Sequence, residues 1–197
     1  MKKKSIFMSF VFVLCLALGS AQAASISLLP ASQDIILGDP VAFDVFADFS
    51  DYTNPGTLGG QIDVTYNADI LGFGSFTYST DITGDPANQL SPVSTSVVGS
   101  TGTVSSIGFA NFDIFGDGFN VATYSIGTLM FNSLSLGSDL LTLAAGSSPW
   151  VDFTITEIAD IAYNGANVNV NAVPIPGTLL LLGSGLVGLV SMKRRKT

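Results

Sequence analysis

The sequence predicts an all-β fold, an antiparallel β-sandwich, between two terminal segments of different character. Apolar and polar residues alternate with a period of two through most of residues 25–171, which is the pattern of half-buried strands. Clusters of Gly, Pro, Asn and Asp interrupt these runs at short intervals, where turns are expected. No run of ten residues shows the 3.6-residue period of an amphipathic helix. Many short strands separated by turns are typical of an antiparallel sandwich.

The strand predictions follow this alternation along the chain. In residues 40–50 the odd positions are apolar, and the even positions include Asp44 and Asp48. The stretches GGQIDVTY (residues 59–66) and SPWVDFTIT (residues 148–156) alternate in the same way. Two further β-rich runs are GTVSSIGFANF and VATYSIGTLMFNS. Gly127, near the centre of the second run, predicts a bulge or a close backbone approach.

Three segments are less regular. Residues 79–100 are polar and rich in Ser, Thr and Pro, which predicts a long loop with at most one edge strand. Residues 67–71 would form a single helical turn. Residues 164–172 are either a last strand or a polar linker into the tail.

Charged residues are segregated along the chain. All seven Lys and Arg residues lie at the ends, three at residues 2–4 and four at residues 193–196, whereas all fifteen acidic residues lie between residues 24 and 172. This body therefore has a formal charge of −15 and no base. Without cations it cannot neutralise phosphates, so nucleic-acid binding is excluded. Self-repulsion favours solubility but costs stability unless cations screen it, so calcium and polycationic partners are the expected classes.

The first 23 residues have the three parts of a secretory signal peptide. Lys2–Lys4 are positive, residues 6–18 are apolar, and the small residues Ala21 and Ala23 precede the expected cleavage point. The segment predicts export by the Sec route and removal by signal peptidase after Ala23. The sole cysteine, Cys15, leaves with it, so the body has no disulfide and its fold depends on apolar burial.

The last 25 residues combine a proline motif, a short apolar run and a basic end. The motif is Val173-Pro174-Ile175-Pro176, the run is residues 178–192, and the cations are Lys193, Arg194, Arg195 and Lys196. Fifteen residues make a helix of roughly 22 Å at ~1.5 Å per residue, whereas a typical bilayer core needs ~20 residues. The cations keep the end of the chain cytoplasmic. The run is therefore marginal as a permanent anchor, although a permanent anchor remains the alternative to a removable signal.

The tail resembles the PEP-CTERM sorting signal of Gram-negative bacteria, which combines a Val-Pro-x-Pro motif, a Leu/Gly-rich membrane segment and a basic cluster. The matching motif residues are Val173, Pro174, Pro176 and the following Gly177. Ile175 stands where the family usually has Glu, which leaves the choice of processing enzyme open. The resemblance implies recognition by an exosortase, a membrane-embedded cysteine protease or transpeptidase, and transient tethering to the inner membrane before the protein reaches the surface or the medium.

The body is similar to a cohesin domain. The similarity lies in the Gly38-Asp39 turn, the segment 60–71 with Val64 and Tyr66, and the Gly-x-Leu-x-Phe strand at residues 127–131. It implies a flattened sandwich with jelly-roll topology. It does not imply dockerin binding, because the residues of partner specificity cannot be matched. The chain thus divides into a signal peptide (1–23), a cohesin-like domain (24–172) and a sorting signal (173–197).

The body lacks the residues of most catalytic sites. It has no His, Cys, Lys or Arg, which excludes Ser-His-Asp and Cys-His pairs, histidine zinc sites and a phosphate-binding loop lysine. A pair of Asp carboxylates would still suffice for glycoside hydrolysis, but a single Glu and no cation give little support for it. We therefore expect a protein that is not an enzyme.

The candidate metal ligands are Asp113 and Asp117, in the stretch NFDIFGDG. Asp113, Asp117 and Gly118 match positions one, five and six of a calcium-binding EF-type loop, but Phe115 and Tyr124 fail at positions three and twelve. A looser calcium site is one interpretation, and a tight turn capped by Asp is the other. Weaker candidates are the Asp48-to-Asp51 loop, Asp81 and Asp85, for which solvated loop charge is the alternative.

Aromatic residues allow two interpretations. Trp150 is a candidate platform for stacking sugars, or a core or sheet-edge residue. Four phenylalanines surround the candidate calcium loop, where they would form an adhesive patch if exposed, or pack the end of the sandwich. They are Phe109, Phe112, Phe115 and Phe119.

Together these features predict a secreted surface or matrix protein that binds exopolysaccharide or another protein in a biofilm envelope. The alternatives are a calcium-dependent carbohydrate-binding module and, third, a glycoside-acting enzyme that uses Asp pairs.

Overall fold

The computed structural model describes residues 24–50, 56–112, 122–174, 177–178 and 181–186. The described part of the body contains twelve strands and a four-residue helix, α1 (Thr80–Thr83). The strands are β1 (Ser25–Leu29), β2 (Ser32–Ile36), β3 (Pro40–Asp48), β4 (Gly59–Asn67), β5 (Leu71–Tyr78), β6 (Asn88–Leu90), β7 (Ser94–Val98), β8 (Thr101–Asn111), β9 (Thr123–Ser133), β10 (Gly137–Ala145), β11 (Ala162–Asn164) and β12 (Ala166–Asn171). Residues 181–186 also have helical backbone.

The strands form two sheets, and the predicted sandwich is confirmed. The smaller sheet has the order β11-β1-β3-β9-β5, and the larger has the order β2-β12-β10-β4-β8-β6, with β7 also paired to β8. Most pairs are antiparallel, but β1 with β11 and β2 with β12 are parallel, which the alternation alone did not predict. The predicted signal helix and most of the predicted membrane helix lie outside the described residues.

The core lies between the sheets and follows the period-two pattern. On β3 the apolar side chains of Val41, Phe43 and Val45 are buried, while their neighbours face outward. Tyr66 of the larger sheet meets Phe131 of the smaller sheet edge to face, with ring centroids 5.0 Å apart. Each such buried side chain contributes about 1.5–3 kcal/mol to folding. This burial stabilises a body that has no cysteine.

The strand predicted at residues 148–156 is wrong. Val151 forms only isolated bridges, and the chain then turns. Asp152 is buried, and its Oδ1 accepts hydrogen bonds from the backbone N–H groups of Thr154 (2.8 Å) and Thr156 (3.0 Å). Ile155, expected to face the core, has a φ of +60° and is 70% exposed. A side chain that satisfies local backbone donors has overridden the alternation.

The structure also decides the three segments whose sequence is less regular. Residues 79–100 contain α1 and two edge strands, β6 and β7, rather than at most one strand. Residues 67–71 form a tight turn closed by Ile70 N–H to Asn67 O (3.1 Å) and not a helical turn. Residues 166–171 are strand β12, so the linker alternative is excluded for them.

Both features predicted from Gly127 are present. The register of β3 and β9 shifts between Val45 and Phe46, because Val45 pairs with Gly127 and Phe46 with Ser125. A Cβ on Gly127 would lie 2.4 Å from the carbonyl oxygen of Thr77 on β5, so the two backbones approach too closely for a side chain.

The sandwich has two unlike ends. One end, here called the tail end, consists of three-residue turns at 37–39, 68–70 and 134–136, the β7–β8 turn and the last residue of β12. The other, the loop end, holds the longer connections at residues 49–58, 79–87, 112–122 and 146–161 and the start of β1. The chain therefore leaves the sandwich from the end with short turns.

Candidate binding surfaces and the sorting motif

Two of the candidate calcium ligands in the described ranges, Asp48 and Asp85, cap turns. Asp48 accepts hydrogen bonds from the backbone N–H and the hydroxyl of Ser50, and Asp85 accepts one from Ala87 N–H (2.8 Å). Among the residues that the structure describes, no three His, Cys, Asp or Glu side chains form a possible metal site. Asp113, Asp117 and Asp51 lie outside the described residues, so the calcium site stays a prediction.

One pair of Asp residues comes together on the smaller sheet. The side chain of Asp44 on β3 accepts a hydrogen bond from the Ser125 hydroxyl, and Asp81 in α1 accepts one from Ser125 N–H (3.2 Å). The two carboxylates thus flank Ser125 and tie α1 and β3 to β9. Both have an evident structural partner, so their proximity gives the glycosidase alternative no specific support.

Trp150 belongs to the core, and the sugar-platform interpretation is excluded. Its side chain is 1% exposed, with ring centroids 5.7 Å from Phe49 and 5.8 Å from Phe109. Its face lies on Gly60, where a Cβ would approach Trp150 Cγ to 2.6 Å. Within the described residues the indole N–H has no hydrogen-bond partner.

The phenylalanines near the candidate calcium loop do not behave alike. Phe109 is buried and packs the loop end of the sandwich, as expected, whereas Phe112 is 61% exposed. Phe115 and Phe119 lie outside the described residues. An adhesive patch at this end therefore has one exposed member in the described part of the chain.

A row of hydroxyl groups crosses the outer face of the larger sheet. Thr142 pairs with Thr65, Thr65 with Thr103, and Thr103 with Ser96, so four strands in succession contribute one hydroxyl each. We call these four residues the hydroxyl row. A depression of about 290 Å³ beside it is lined by Thr65, Thr101, Thr142, Asn67, Ser100, Leu140 and Tyr66. The row could not be predicted, because it depends on cross-strand pairing, which single-strand periodicity does not contain.

A second, more apolar groove lies between the open edges of the two sheets. It has a volume of about 380 Å³ and is lined by Leu71 and Phe73 of β5, by Val97 of β7, and by Leu134 among others. Farther along β5, the Tyr78 hydroxyl lies 2.8 Å from the carbonyl oxygens of Ser91, in the β6–β7 connection, and of Gly108, on β8 of the other sheet. Burial raises the pKa of Tyr78 above its ordinary value, so the hydroxyl stays protonated and can donate to one of these carbonyls.

The sorting motif begins immediately outside the sandwich. Strand β12 ends at Asn171, Val173 is 62% exposed, and Pro174 is also exposed. Gly177 is exposed, and a Cβ there would meet no atom within 4 Å. Pro176 and the basic residues Lys193, Arg194, Arg195 and Lys196 lie outside the described residues. In the described ranges we find no helix with the length and apolar character to cross a bilayer.

The predicted mature start coincides with the start of the sandwich. Ala24 is buried, and its carbonyl oxygen accepts a hydrogen bond from Ala162 N–H (2.8 Å). Strand β1 follows at the next residue. Ala21 and Ala23 of the predicted cleavage site lie outside the described residues. Cleavage after Ala23 would leave every described residue of the sandwich in the mature chain.

Comparison with known proteins finds the architecture but no sequence family. No protein-family profile and no curated protein matches the chain. Among solved structures, the sixth cohesin of scaffoldin B from Acetivibrio cellulolyticus, in complex with a dockerin, is 17% identical with a TM-score of 0.53, covering 76% of this chain and 98% of its own. A type I cohesin–dockerin complex from Clostridium thermocellum gives 13% identity and a TM-score of 0.55, covering 77% and 95%.

A type II cohesin module of a second Acetivibrio cellulolyticus scaffoldin is similar too, at 10% identity and a TM-score of 0.54, over 78% of this chain and 91% of that one. The body has a cohesin-like fold. At these identities the likeness establishes the fold alone. The cohesin-like sandwich extends over nearly the full length of the modules it matches, so the match includes both sheets.

Proposed function

We propose that this chain is an exported, non-catalytic binding or structural protein of the cell surface or extracellular matrix. Signal peptidase would remove residues 1–23, and an exosortase-like enzyme would process the tail while it tethers the protein to the inner membrane of a Gram-negative bacterium. The observation that carries this proposal is that β12 ends at Asn171 and the motif follows at Val173, exposed. A membrane enzyme would reach such a segment without unfolding the sandwich.

Intact-mass analysis of the protein recovered from the envelope and the medium tests this delivery route. We expect a chain that begins at Ala24 and lacks the apolar run from Leu179 onward. Replacing both motif prolines, Pro174→Ala with Pro176→Ala, should leave the run in place. The matched control Pro92→Ala, at an exposed loop proline, should be processed normally. Recovery of the unmutated protein with Leu179 onward still embedded would instead show a permanent tail anchor.

For the ligand, we propose an uncharged exopolysaccharide on the outer face of the larger sheet. The hydroxyl row supports this choice, because uncharged hydroxyl groups both donate to and accept from the hydroxyls of a sugar polymer. The acidic body would repel an acidic polymer, since it has no base between residues 24 and 172. The row spans four strands, so a chain of sugars would lie across the sheet.

The test removes hydroxyls without changing side-chain shape. Thr65→Val with Thr103→Val should weaken binding to a neutral exopolysaccharide about 5-fold or more, given ~0.5–1.5 kcal/mol per hydrogen bond. Thr77→Val, at an exposed threonine of the smaller sheet, is the control and should bind as the unmutated protein does. Equal binding by all three proteins would rule out the row as the binding surface.

A protein partner is the second candidate, and the fold is the observation that favours it. Two of the similar cohesins were solved in complex with dockerins. A partner of this body would be cationic, or bridged to it by calcium, because the body supplies only negative charge. Cross-linking on intact cells followed by mass spectrometry should then join the sandwich to one defined surface protein. Cross-links to many unrelated surface proteins, with none of them preferred, would count against a specific protein partner.

A further inference from the structure

Exposed apolar side chains are concentrated at the tail end of the sandwich. Leu134 and Leu136, in the β9–β10 turn, are 56% and 54% exposed, and Val98, at the end of β7, is 79% exposed. Ile36 and Leu37, in the β2–β3 turn, are each 37% exposed. We call these five residues the end patch. They come from three separate turns, so the patch exists only in the folded chain.

Charge is distributed in the opposite sense. Eight of the fifteen acidic residues belong by chain position to the connections of the loop end, residues 49–58, 79–87, 112–122 and 146–161, and Asp48 ends β3 at the same end. Within the described turns of the tail end, the exposed carboxylates are those of Asp39 and Asp69. The molecule thus has an acidic end and an end with far fewer charges and more apolar surface.

Hydrogen bonds join the end patch to the point where the chain leaves the sandwich. Leu37 N–H donates to Asn171 O (2.9 Å), and Gly38 N–H donates to Ser133 Oγ (2.8 Å). Leu134 N–H donates in turn to Ile70 O (2.8 Å). The turns and the end of β12 are therefore one connected platform, and the patch cannot move far from the exit of the tail.

The tail then limits how far this platform lies from a membrane. Six residues, 172–177, separate Asn171 from Thr178, where the apolar run begins. Even fully extended, this linker spans at most about 22 Å at ~3.3–3.6 Å per residue. With the run inserted and its basic end in the cytoplasm, the tail end is the part of the sandwich held next to the outer surface of the bilayer.

We propose that, before its tail is processed, the sandwich stands on the lipid bilayer with the tail end down, and that Leu37, Leu134 and Leu136 enter the boundary between headgroups and acyl chains. The inference rests on the proposed function, because it requires the tail to be membrane-inserted. The occupant of the end patch is the lipid surface itself. A few exposed side chains give only weak, reversible membrane binding without a second anchor, so removal of the tail would release the protein.

This orientation also accounts for the position of the motif. Val173 and Pro174 would be held at the membrane surface, within reach of a membrane-embedded enzyme. The acidic loop end would point away from the bilayer. Anionic lipids would oppose the contact through Asp39 and Asp69, so the contact should be strongest with zwitterionic lipids.

Single-cysteine labelling of the chain from Ala24 to Thr197, the form left after removal of the signal peptide, tests the orientation, because residues 24–197 contain no cysteine. The signal peptide is omitted because it precedes β1 at the loop end and its apolar run would tether that end to the bilayer as well. Leu136→Cys and the matched loop-end control Ile155→Cys, both at exposed positions, would carry a polarity-sensitive fluorophore. The labelled chains are reconstituted into protein-free phosphatidylcholine vesicles, and their unfolding midpoints must equal that of the unlabelled chain. We expect the label at 136 to be blue-shifted and quenched by acyl-chain quenchers, and the label at 155 to remain as in water.

Each other result overturns the proposal. Two labels that both remain aqueous would show that the patch does not touch lipid, and quenching at 155 alone would show the opposite orientation. A blue shift of the label at 136 in native membranes but not in the protein-free vesicles would show that the end patch contacts a membrane protein and not lipid. The two proposals fail in different experiments. Intact mass shows whether the tail is processed, and this result does not affect the vesicle measurement. If the tail is processed but both labels remain aqueous, the orientation is wrong and the proposed function still stands.

Discussion

At the scale of single residues, Gly60 shows how closely the core is packed at a point that the sequence does not mark. Gly60 is covered by the Trp150 side chain and backbone, so that a Cβ would lie 2.6 Å from Trp150 Cγ and 2.7 Å from Trp150 Cα. Trp150 is fully enclosed by Phe49 and Phe109. It has no space into which to move without displacing its aromatic neighbours.

Gly60→Ala should therefore destabilise the protein by about 2–3 kcal/mol, the cost of forcing an extra methyl into a packed core. The control is Gly72→Ala, also in a strand, where the new Cβ would meet only the exposed Leu134 side chain at 3.3 Å. We expect the control to lie within about 0.5 kcal/mol of the unmutated protein. Urea unfolding measures both, and equal midpoints for the two variants would contradict the packing argument.

Asp139 is an acidic residue at an inward position on β10, where the sequence pattern would place an apolar side chain. Asp139 is 9% exposed, and its carboxylate accepts a hydrogen bond from Asn67 N–H (2.8 Å), which ties β10 to the end of β4. Burial raises the pKa of this carboxyl above its ordinary value, and the hydrogen bonds from the backbone N–H groups of Asn67 and Leu140 offset part of that rise. The protonated form is thus favoured by folding.

The sign of the resulting pH dependence follows from linkage. A carboxyl whose pKa is raised in the folded state contributes stability that is fully present below its unfolded pKa of about 4 and is lost as pH rises through the folded value. Asp139→Asn keeps an acceptor for Asn67 N–H and removes the ionisation. The variant should gain stability relative to the unmutated protein between about pH 4 and pH 7.

Free energies of unfolding measured across this pH range check the prediction. Asp69→Asn, at an exposed carboxylate of the neighbouring turn, controls for the loss of one negative charge at the same end. A difference between Asp139→Asn and the unmutated protein that stayed constant with pH would show that the buried carboxyl does not titrate with folding.

At the scale of elements, the side chain of Tyr78 joins the two sheets at the open edge of the sandwich. Tyr78 extends from β5 of the smaller sheet, and its hydroxyl lies 2.8 Å from Ser91 O and from Gly108 O of the larger sheet. Gly108 N–H also approaches the hydroxyl oxygen, at 3.3 Å. Strands β6 and β7 meet β8 on either side of this contact, so Tyr78 helps to hold the edge strands in place.

Tyr78→Phe should destabilise the protein by about 1–2 kcal/mol, because it removes the donor to a partly buried carbonyl while leaving the ring. The effect should be local: the substitution should increase the rate of amide hydrogen exchange in β6 and β7 and leave the rate in β3 nearly unchanged. Tyr163→Phe is the control, since no described residue makes a hydrogen bond to its hydroxyl and β11 lies at the other edge. Unchanged exchange in β6 and β7 would refute the inter-sheet role.

The elements also show why some predictions held and others failed. Strand β3 was predictable because nothing competes with its alternation, and its odd positions line the core. Residues 148–156 alternate equally well, yet Asp152 takes the buried place and caps a turn. Strands β6 and β7 were missed because they are short, largely exposed edge strands. Such strands bury little of either face, so their sequences need not alternate between apolar and polar residues.

At the scale of the whole molecule, the unbalanced charge of the body governs its solution behaviour. Fifteen acidic residues and no base between residues 24 and 172 give like charges without compensating ion pairs. Their repulsion is screened over ~10 Å at 0.1 M salt and ~3 Å at 1 M. Sodium chloride should therefore raise the unfolding midpoint steadily over this range, and a midpoint that fell with salt would contradict the repulsion argument.

Calcium provides a sharper form of the same measurement. Calcium and magnesium chloride at equal ionic strength screen equally, so a calcium-specific increase in the unfolding midpoint would indicate a site. If Asp113 and Asp117 are its ligands, Asp113→Asn with Asp117→Asn should abolish the increment but retain the response to sodium chloride. Equal midpoints in the two salts would favour the capped-turn interpretation of that loop.

The sequence by itself determined the features that depend on neighbours along the chain: the strand periodicity, the absence of bases from the body, the apolar and basic ends, and the proline motif at residues 173–176. It did not determine the hydroxyl row, the end patch or the end of the sandwich from which the tail leaves. Those depend on which strands pair and in what register, and that choice is made by burial of side chains far apart in sequence. Leu37, Ser133 and Asn171 meet only because β2 lies beside β12 and β3 beside β9.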